Sequence, residues 1–154
     1  DQGCDVVTCH VDGPKVICET AVSRDIFVCG YHADQTPIAG DKYLTGAEWN
    51  WANVYTDMVA KTVAGEPIPN FVRGGLADGF IKMSPLGPAV SDAARAQFEA
   101  TKAEIEAGGF AAIKGPLKDN KGNVIAAEGE SFVETDVAIE SMDYLVEGVI
   151  GSTS

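Results

Sequence analysis

Two short apolar segments flank a helix-length stretch near the start of the chain. Asp5–Cys9 and Ile26–Tyr31 have the composition of buried strands, and Asp12-Gly13-Pro14 between them predicts the start of a helix. With Asp12 as its cap, this helix is expected to run to about Ser23, which leaves a connection of the length that joins parallel strands. The pattern therefore predicts an α/β fold in which a parallel sheet carries flanking helices.

Polar side chains follow both predicted strands. His10 and Asp12 come after the first strand, and His32 and Asp34 come after the second. Because parallel strands end at the same edge of a sheet, these side chains are expected to lie together, where open α/β sheets hold ligands. The alternatives are ordinary loop contacts for the histidines and, for Asp34, a cap on the backbone amides of its own loop.

The next segment places aromatic and amide side chains beside one another. Thr45 and Glu48 form the pattern of a capping box, which predicts that a helix begins at about Gly46. Trp49 and Asn50 then fall in its first turns. An indole stacks on flat rings, and an asparagine amide has the donors and acceptor that read adenine. Helix capping or a hydrogen bond to a hinge for Asn50, and loop packing for Trp49, are the alternatives.

The remaining patterns mix helices and strands. We predict a short strand at 42–44, a helix over 46–64, strands at 71–73 and 80–83, a helix from Ser91 to a stop at Gly108-Gly109, hairpin strands at 113–117 and 124–126 about a turn at 118–122, a short helix at 136–141 and an apolar run at 144–150. The helix over 46–64 should bury the apolar face formed by Trp51, Val54, Tyr55, Met58 and Thr62.

Charge and hydropathy exclude several classes of protein. The 154 residues are 45% hydrophobic, enough for the core of a folded domain, and the formal net charge is −12 with 11 Lys and Arg. Such a charge argues against binding to nucleic acid or to an anionic membrane surface. No apolar run approaches the roughly 18 residues that span a membrane.

Four cysteines lie before Gly30, and their state is open. Cys4, Cys9, Cys18 and Cys29 could form two disulfides in any of three pairings, or pack as small apolar side chains. A zinc site with the nearby histidines is conceivable, but C-x-x-C and H-x-x-x-H spacings are absent, and we predict no metal and no cofactor. A hydrolase built from Cys9, His10 and Asp12 is the weaker alternative, and we predict a protein that is not an enzyme, with no catalytic residues.

Four ordered blocks of sequence resemble the basic membrane protein family, the purine and nucleoside receptors of bacterial ABC importers. The blocks are GYHADQ at 30–35, LTGAEWNW at 44–51, GGLADGFIKMSPLG at 74–87 and SMDYLVEGVIG at 141–151. The resemblance implies a type I periplasmic-binding-protein-like fold with two lobes. Residues 1–154 would be its carboxy-terminal portion, about one lobe with crossover segments of the other, and the amino-terminal half is expected to be absent from this chain.

The resemblance also implies a function and a location. The chain is expected to belong to an extracytoplasmic solute-binding protein that serves an ABC permease. It would be periplasmic, or anchored as a lipoprotein through a signal that precedes Asp1. A missing amino-terminal half or a companion chain would complete the cleft, since an isolated fragment would expose the apolar faces that its partner covers. A ligand-sensing receptor that is not coupled to import is the alternative.

Carried over residue by residue, the resemblance favours a free base. Nucleoside-binding relatives have an Asp at the position of His32, where it contacts the ribose, and a Lys at the position of Trp49. Replacing both groups by rings leaves the sugar hydroxyls without partners, which favours adenine over a nucleoside, the alternative ligand. The candidate ligand-binding residues are Asn50, Trp49, His32, Asp34, His10 and Asp12.

Overall fold

The protein is represented by a computed structural model that describes residues 3–108, 110–133 and 136–153. Gly109, part of the predicted stop of the helix that follows Ser91, lies outside the described residues. The chain divides into two compact units, Asp1–Ala103 and Glu104–Ser154, and each is described by itself.

Unit 1 is built on a four-stranded mixed sheet with helices. Its elements in chain order are β1 (Val6–Thr8), α1 (Pro14–Ser23), β2 (Phe27–His32), α2 (Thr36–Ala39), β3 (Tyr43–Trp49), α3 (Trp51–Ala64), β4 (Ile81–Met83) and α4 (Asp92–Glu106). The strand order is β1-β2-β3-β4. The first two pairings are parallel and the third is antiparallel. The predicted α/β class with a parallel β1-α1-β2 unit is confirmed, and β4 makes the sheet mixed.

The beginning of the chain differs in detail from the prediction. Val6 is 42% exposed and only Val7 of β1 packs against the core, so the expectation of a fully buried first strand is wrong. The described elements cover one face of β1 and leave the other open. Asp12 does not cap α1. Gly13 is the N-cap without a side-chain hydrogen bond, and Pro14 in the first turn has no N–H that needs a partner.

The core of unit 1 lies between α1 and the parallel strands. It consists of Cys18, Ala21, Val28, Ala39 and Tyr43. The thiol of Cys18 donates to Oε1 of Gln35 at 2.8 Å, and burial raises the pKa of that thiol. All four cysteines are free: Cys18 is buried, Cys9 and Cys29 are half-buried and Cys4 is exposed. Apolar packing therefore accounts for Cys18 and does not account for Cys4.

The predicted start of the long helix is wrong. Residues 45–49 belong to β3, which also absorbs most of the short strand expected at 42–44, and α3 begins at Trp51. Oγ1 of Thr45 donates to the carbonyl of Ser84 at 3.0 Å, and Oε1 of Glu48 accepts from the Ser84 hydroxyl at 2.6 Å. Neither side chain caps a helix, because the pairing of β3 with β2 and β4 overrides the local pattern.

The end of α3 agrees with the sequence, whereas its burial does not. Gly65 takes the left-handed conformation, with φ 72°, as the C-cap. The predicted burial of the apolar face is wrong, since Trp51 is 53% exposed and Tyr55 is 61% exposed. Val54 and Met58 are half-buried. No residue of α3 is buried within the described structure, because the described part of unit 1 covers this face only partly.

The rest of unit 1 follows the prediction with one exception. The strand at 80–83 is present as β4, but residues 71–73 form no strand, and Phe71 is 72% exposed. The hydroxyl of Ser91 accepts the backbone N–H of Ala94 at 3.2 Å, which confirms the predicted start of α4. Phe98 and Ile105 are half-buried on its apolar stripe.

Unit 2 consists of two small antiparallel sheets and a short helix. Its elements are β5 (Ala111–Lys114), β6 (Leu117–Lys118), β7 (Val124–Ala126), β8 (Ser131–Val133) and α5 (Val137–Glu140). β5 pairs with β8 and β6 pairs with β7. The predicted turn at 118–122 and the short helix are confirmed. The predicted hairpin is wrong in its first strand, because residues 111–114 pair across a longer loop with β8.

Asp119 organises the turn between β6 and β7. Its Oδ1 accepts the backbone N–H groups of Lys121 and Asn123, each at 2.8 Å. Its Oδ2 accepts Nδ2 of Asn123 at 2.7 Å. The apolar run at 144–150 is tied to the same turn, since the backbone N–H of Asn120 donates to the carbonyl of Leu145 at 2.8 Å. One carboxylate thus fixes the β6–β7 turn.

These hydrogen bonds make the turn sensitive to acid. The Asn123 side chain, together with the backbone N–H groups, holds the pKa of Asp119 below its ordinary value of 3.8. A pKa lowered by folding means that the stabilisation is present above about pH 4 and is lost as the pH falls through the folded-state pKa. We expect a carboxyl NMR titration of Asp119 to give a midpoint below 3.8, and Asp119→Asn to remove this part of the acid sensitivity. A midpoint at or above 3.8 would contradict the assignment.

Candidate ligand-binding site

The carboxyl ends of the parallel strands bring several rings together. His10 follows β1, Tyr31 and His32 end β2, and Trp49 ends β3. The ring centroids of His10 and Tyr31 are 4.1 Å apart, those of Tyr31 and His32 are 4.2 Å apart, and those of the two histidines are 6.0 Å apart. The predicted convergence of His10 and His32 at one sheet edge is therefore confirmed.

The rings continue from the strand ends onto α3. Tyr31 and Trp49 meet edge to face at 5.8 Å, and Trp49 and Trp51 stack at 5.4 Å with an interplanar angle of 30°. Tyr55 lies 5.8 Å from Trp51, one helical turn further on. We call His10, Tyr31, His32, Trp49, Trp51 and Tyr55 the aromatic cluster. Tyr31 was assigned only to a strand, although its position before the polar strand end could have identified it.

A cleft of about 340 Å³ opens beside the cluster. Its walls are Thr8, Cys9, His10, Gly30, Tyr31 and Ala47. Gly30 is buried, and a Cβ added there would lie 2.8 Å from Oη of Tyr43 and 2.9 Å from Oε1 of Gln35. The side chains of Tyr43 and Gln35 can pack over β2 only because this position carries no side chain. The cleft lies within the size range of small-molecule sites and has an aromatic wall.

His32 and Trp49 hold each other in place. The indole Nε1 of Trp49 donates to Nδ1 of His32 at 2.9 Å. The backbone of His32 has φ 75°, a left-handed conformation that is uncommon for a residue other than glycine. Both residues thus belong to the aromatic cluster, and Nε2 of His32 is a buried polar atom without a hydrogen-bond partner among the described residues.

Asn50 lies at the beginning of α3, and its side-chain amide already makes one hydrogen bond within the protein. It is the N-cap residue but makes no side-chain capping bond. Its Nδ2 donates to the carbonyl of Gly79 at 2.9 Å, and Nδ2 of Asn53 donates to the same carbonyl at 3.1 Å. Helix capping, one of the two alternatives for Asn50, is therefore not observed, and the amide bonds instead to the segment that precedes β4. The Asn50 side chain keeps one N–H and its Oδ1 for another partner.

The two candidate carboxylates, Asp34 and Asp12, make no described contact with the aromatic cluster. Oδ1 of Asp34 accepts the backbone N–H of Thr36 at 2.9 Å and the Thr36 hydroxyl at 2.6 Å. These hydrogen bonds hold the pKa of Asp34 below its ordinary value. Asp34 therefore caps its own loop, as the alternative interpretation predicted. Asp12 is exposed and makes none of the contacts described for the cluster.

A buried polar network supports the site from beneath Trp49. The Ser84 hydroxyl donates its one hydrogen to Oε1 of Glu48 at 2.6 Å, so the Tyr43 hydroxyl, 2.9 Å away, is the donor to Ser84. Nζ of Lys82 lies 3.0 Å from Oε2 of Glu48. Burial raises the pKa of Tyr43, which keeps that donor protonated. Sequence reasoning missed this network, because Ser84 is 36 residues from Glu48.

The described residues contain no group of three or more His, Cys, Asp or Glu side chains with the arrangement of a metal site. Within the same ranges, every helix is too short or too polar to cross a membrane.

Two curated proteins are similar to the chain over nearly its whole length, although no family model matches it. It is 29% identical over 149 residues to a purine-binding protein of Brucella abortus and 26% identical over 151 residues to a putative ABC transporter glucose-binding protein of Haloferax volcanii. These alignments cover 97% and 98% of this chain. The resemblance found in the sequence is thereby confirmed. Both relatives are named as binding proteins and neither as an enzyme.

The chain spans about two-fifths of the length of these relatives, 41% of the first and 35% of the second. Among solved structures, it is similar to a transcriptional activator of the comK gene from Bacillus halodurans, with a TM-score of 0.63 and 20% sequence identity. That superposition covers 69% of this chain and 38% of the other. At this identity the likeness is one of fold alone.

Removing the Ser84 hydroxyl should destabilise the chain. In Ser84→Ala, Tyr43 and Glu48 lose a partner at positions that are 1% and 8% exposed, which we expect to cost about 1–3 kcal/mol of unfolding free energy. Ser23→Ala is the matched control, since its exposed hydroxyl donates only to the carbonyl of Thr20, and it should cost less than about 0.5 kcal/mol. Denaturant unfolding measures both, and equal losses would contradict the network.

Proposed function

We propose that this chain is part of the extracytoplasmic solute-binding protein of an ABC importer and that it binds a purine base, with adenine favoured. The observation that carries the proposal is the aromatic cluster at the carboxyl ends of the parallel strands, beside a cleft of about 340 Å³. Ligands of open α/β sheets bind at this edge. The names of the two relatives, purine-binding and ABC transporter glucose-binding, support a solute-binding role.

The ligand class follows from the chemistry of the walls. The rings of His10 and Tyr31 form one wall of the cleft, and stacking on a planar base contributes about 1–3 kcal/mol per base. Sugar hydroxyls require charged or amide partners, yet Oδ1 of Asp34 already accepts two hydrogen bonds from Thr36. His32 and Trp49 stand where the ribose contacts of nucleoside receptors are expected, and they bond to each other. A free base therefore fits better than a nucleoside.

The six candidate residues have different proposed roles. His10, His32 and Trp49 surround the base, and the free Oδ1 and N–H of Asn50 read its edge. Asp34 and Asp12 remain in the proposed site as residues of the surrounding loops. Asp34 stabilises the turn at 34–36 by accepting hydrogen bonds from Thr36.

We propose further that the complete receptor has two lobes of the type I periplasmic-binding kind and that residues 1–154 are its carboxy-terminal portion. The lengths of the relatives support this, since the chain spans only 41% and 35% of them. The exposed rings of Trp51 and Tyr55 also support it, because a partner lobe would cover such a face. The receptor would lie outside the cytoplasmic membrane, free or lipid-anchored, and deliver its ligand to an ABC permease.

A sugar is the second candidate ligand. The name of the Haloferax volcanii relative favours it, and aromatic rings also pack against the apolar faces of sugars. A receptor that senses its ligand without import would have the same site. An adjacent permease and ATPase would separate import from sensing.

Calorimetry distinguishes the ligand classes. In the complete receptor, we expect adenine to bind more tightly than adenosine, because His32 and Trp49 bond to each other at the positions expected to contact the ribose, and each ribose hydroxyl left unpaired costs about 1–3 kcal/mol. Glucose serves as the third ligand in the same buffer. Equal or tighter binding of adenosine would refute selection of the base, and binding of glucose alone would favour the second candidate.

The two asparagines of α3 provide a matched pair for the role of Asn50. Both donate to the Gly79 carbonyl, so Asn53→Ala reports the loss of that contact alone. We expect Asn50→Ala to weaken adenine binding by a further factor of about ten to a hundred, the value of a lost bidentate contact to a base. Thermal unfolding of the two variants without ligand should be similar. If affinity falls equally in both, Asn50 only holds the Gly79 segment.

A further inference from the structure

Nε2 of His32 is buried and has no hydrogen-bond partner among the described residues, and this atom suggests how the site selects its ligand. We propose that Nε2–H of His32 donates a hydrogen bond to an unprotonated ring nitrogen of the ligand, and that Trp49 is the positioning residue that keeps the proton on Nε2. The inference rests on the proposed purine site and deepens it. It assigns the ligand class as a planar nitrogen heterocycle that presents an in-plane lone pair.

The hydrogen bond between the two rings determines the tautomer. An indole N–H has no acceptor atom, so Nε1 of Trp49 can only donate, and it does so to Nδ1 of His32 at 2.9 Å. Nδ1 must therefore carry no hydrogen. The neutral imidazole has one N–H, which then lies on Nε2. The contact with Trp49 converts a side chain with two interchangeable tautomers into a donor at a defined atom.

That donor has no hydrogen-bond partner among the described residues. Nε2 is buried, and nearly all buried polar atoms of folded proteins are hydrogen-bonded. An acceptor that pairs with Nε2 is favoured because it removes this penalty. A ligand that presents only a C–H to Nε2 leaves this N–H buried and unpaired, so the free-energy cost of the unpaired donor remains.

The backbone keeps the ring in its position. His32 has φ 75°, and residues held in this conformation without being glycine concentrate at functional sites. Parallel pairing with Glu48 fixes the backbone of His32, and the ring of Tyr31, with its centroid 4.2 Å away, packs against the imidazole. Only small changes of ring orientation are then available, which suits an atom that selects a ligand.

The position of the ring connects it to the cleft. His10 and Tyr31 line the cleft, and their ring centroids lie 6.0 Å and 4.2 Å from that of His32. Because Nε2 is buried, binding requires a shift of the rings around it. His10 is exposed and has the room to move. A base entering beside Tyr31 would displace His10 and meet Nε2.

The tautomer is tested first, without any ligand. ¹⁵N-detected NMR of the folded chain should show His32 in the Nε2–H form at neutral pH. Trp49→Phe keeps a ring but removes the indole donor, so His32 should become a mixture of both tautomers. His10→Gln is the control and should leave the His32 signals in the Nε2–H form. An Nδ1–H form in the parent chain, or no change in Trp49→Phe, would overturn the role of Trp49.

Binding to the complete receptor then tests the donor. The probes are adenine and its 1-deaza, 3-deaza and 7-deaza analogues, in which C–H replaces one ring nitrogen without changing the ring shape. We expect one analogue to bind the parent protein at least about tenfold more weakly than adenine, the effect of one lost hydrogen bond. That difference should vanish in His32→Asn and persist in Ser23→Ala, whose exposed hydroxyl lies outside the cleft.

His32→Asn is chosen to preserve the surroundings. Asparagine tolerates the left-handed backbone, and its Oδ1 can accept from Trp49 in the place of Nδ1, but it has no atom at the position of Nε2. Equal affinity for all four probes, or a deaza penalty that survives in His32→Asn, would overturn the role of His32 while leaving purine binding intact. If no probe binds the parent receptor, the proposed function and the ligand assignment both fail.

Discussion

The parallel pairing of β2 with β3 is the contact on which the rest of unit 1 depends. It aligns Gly30 with Gly46 and His32 with Glu48, and it keeps residues 45–49 extended although their sequence has the pattern of a helix start. Because β3 continues to Trp49, the indole arrives beside His32 at the carboxyl end of the sheet. Had the helix begun at Gly46, the two rings would belong to different surfaces. The strand pairing therefore creates the aromatic cluster.

The buried polar groups beneath the cluster are hydrogen-bonded, whereas Nε2 of His32 within the cluster has no partner among the described residues. Tyr43, Ser84 and Glu48 form a chain of hydrogen bonds that joins β3 to the segment after β4, with Lys82 at its exposed end. Fully paired networks of this kind define one arrangement of the elements around them. Against that fixed support, the unpaired Nε2 of His32 is a local exception, which is the reason to assign it a ligand.

The aromatic cluster has two parts with different environments. His10, Tyr31, His32 and Trp49 surround the strand ends, while Trp51 and Tyr55 continue along α3 with more than half of each side chain exposed. Exposed aromatic faces of this kind are typical of binding surfaces. In the proposed receptor, the first part holds the base and the second meets the other lobe. One continuous set of rings would then couple ligand and closure.

The sequence by itself determined the features that depend on neighbours in the chain. These are the β1-α1-β2 unit, the Gly65 end of α3, the Ser91 start of α4 and the turn at Asp119, and from them the α/β class and the gathering of His10 and His32 at one sheet edge. Only the tertiary structure decided the roles of Thr45, Glu48, Asn50 and Trp49, whose partners lie 17 to 39 residues away. A capping pattern or an amphipathic stripe records local preference, and strand pairing and burial between distant segments are stronger than that preference.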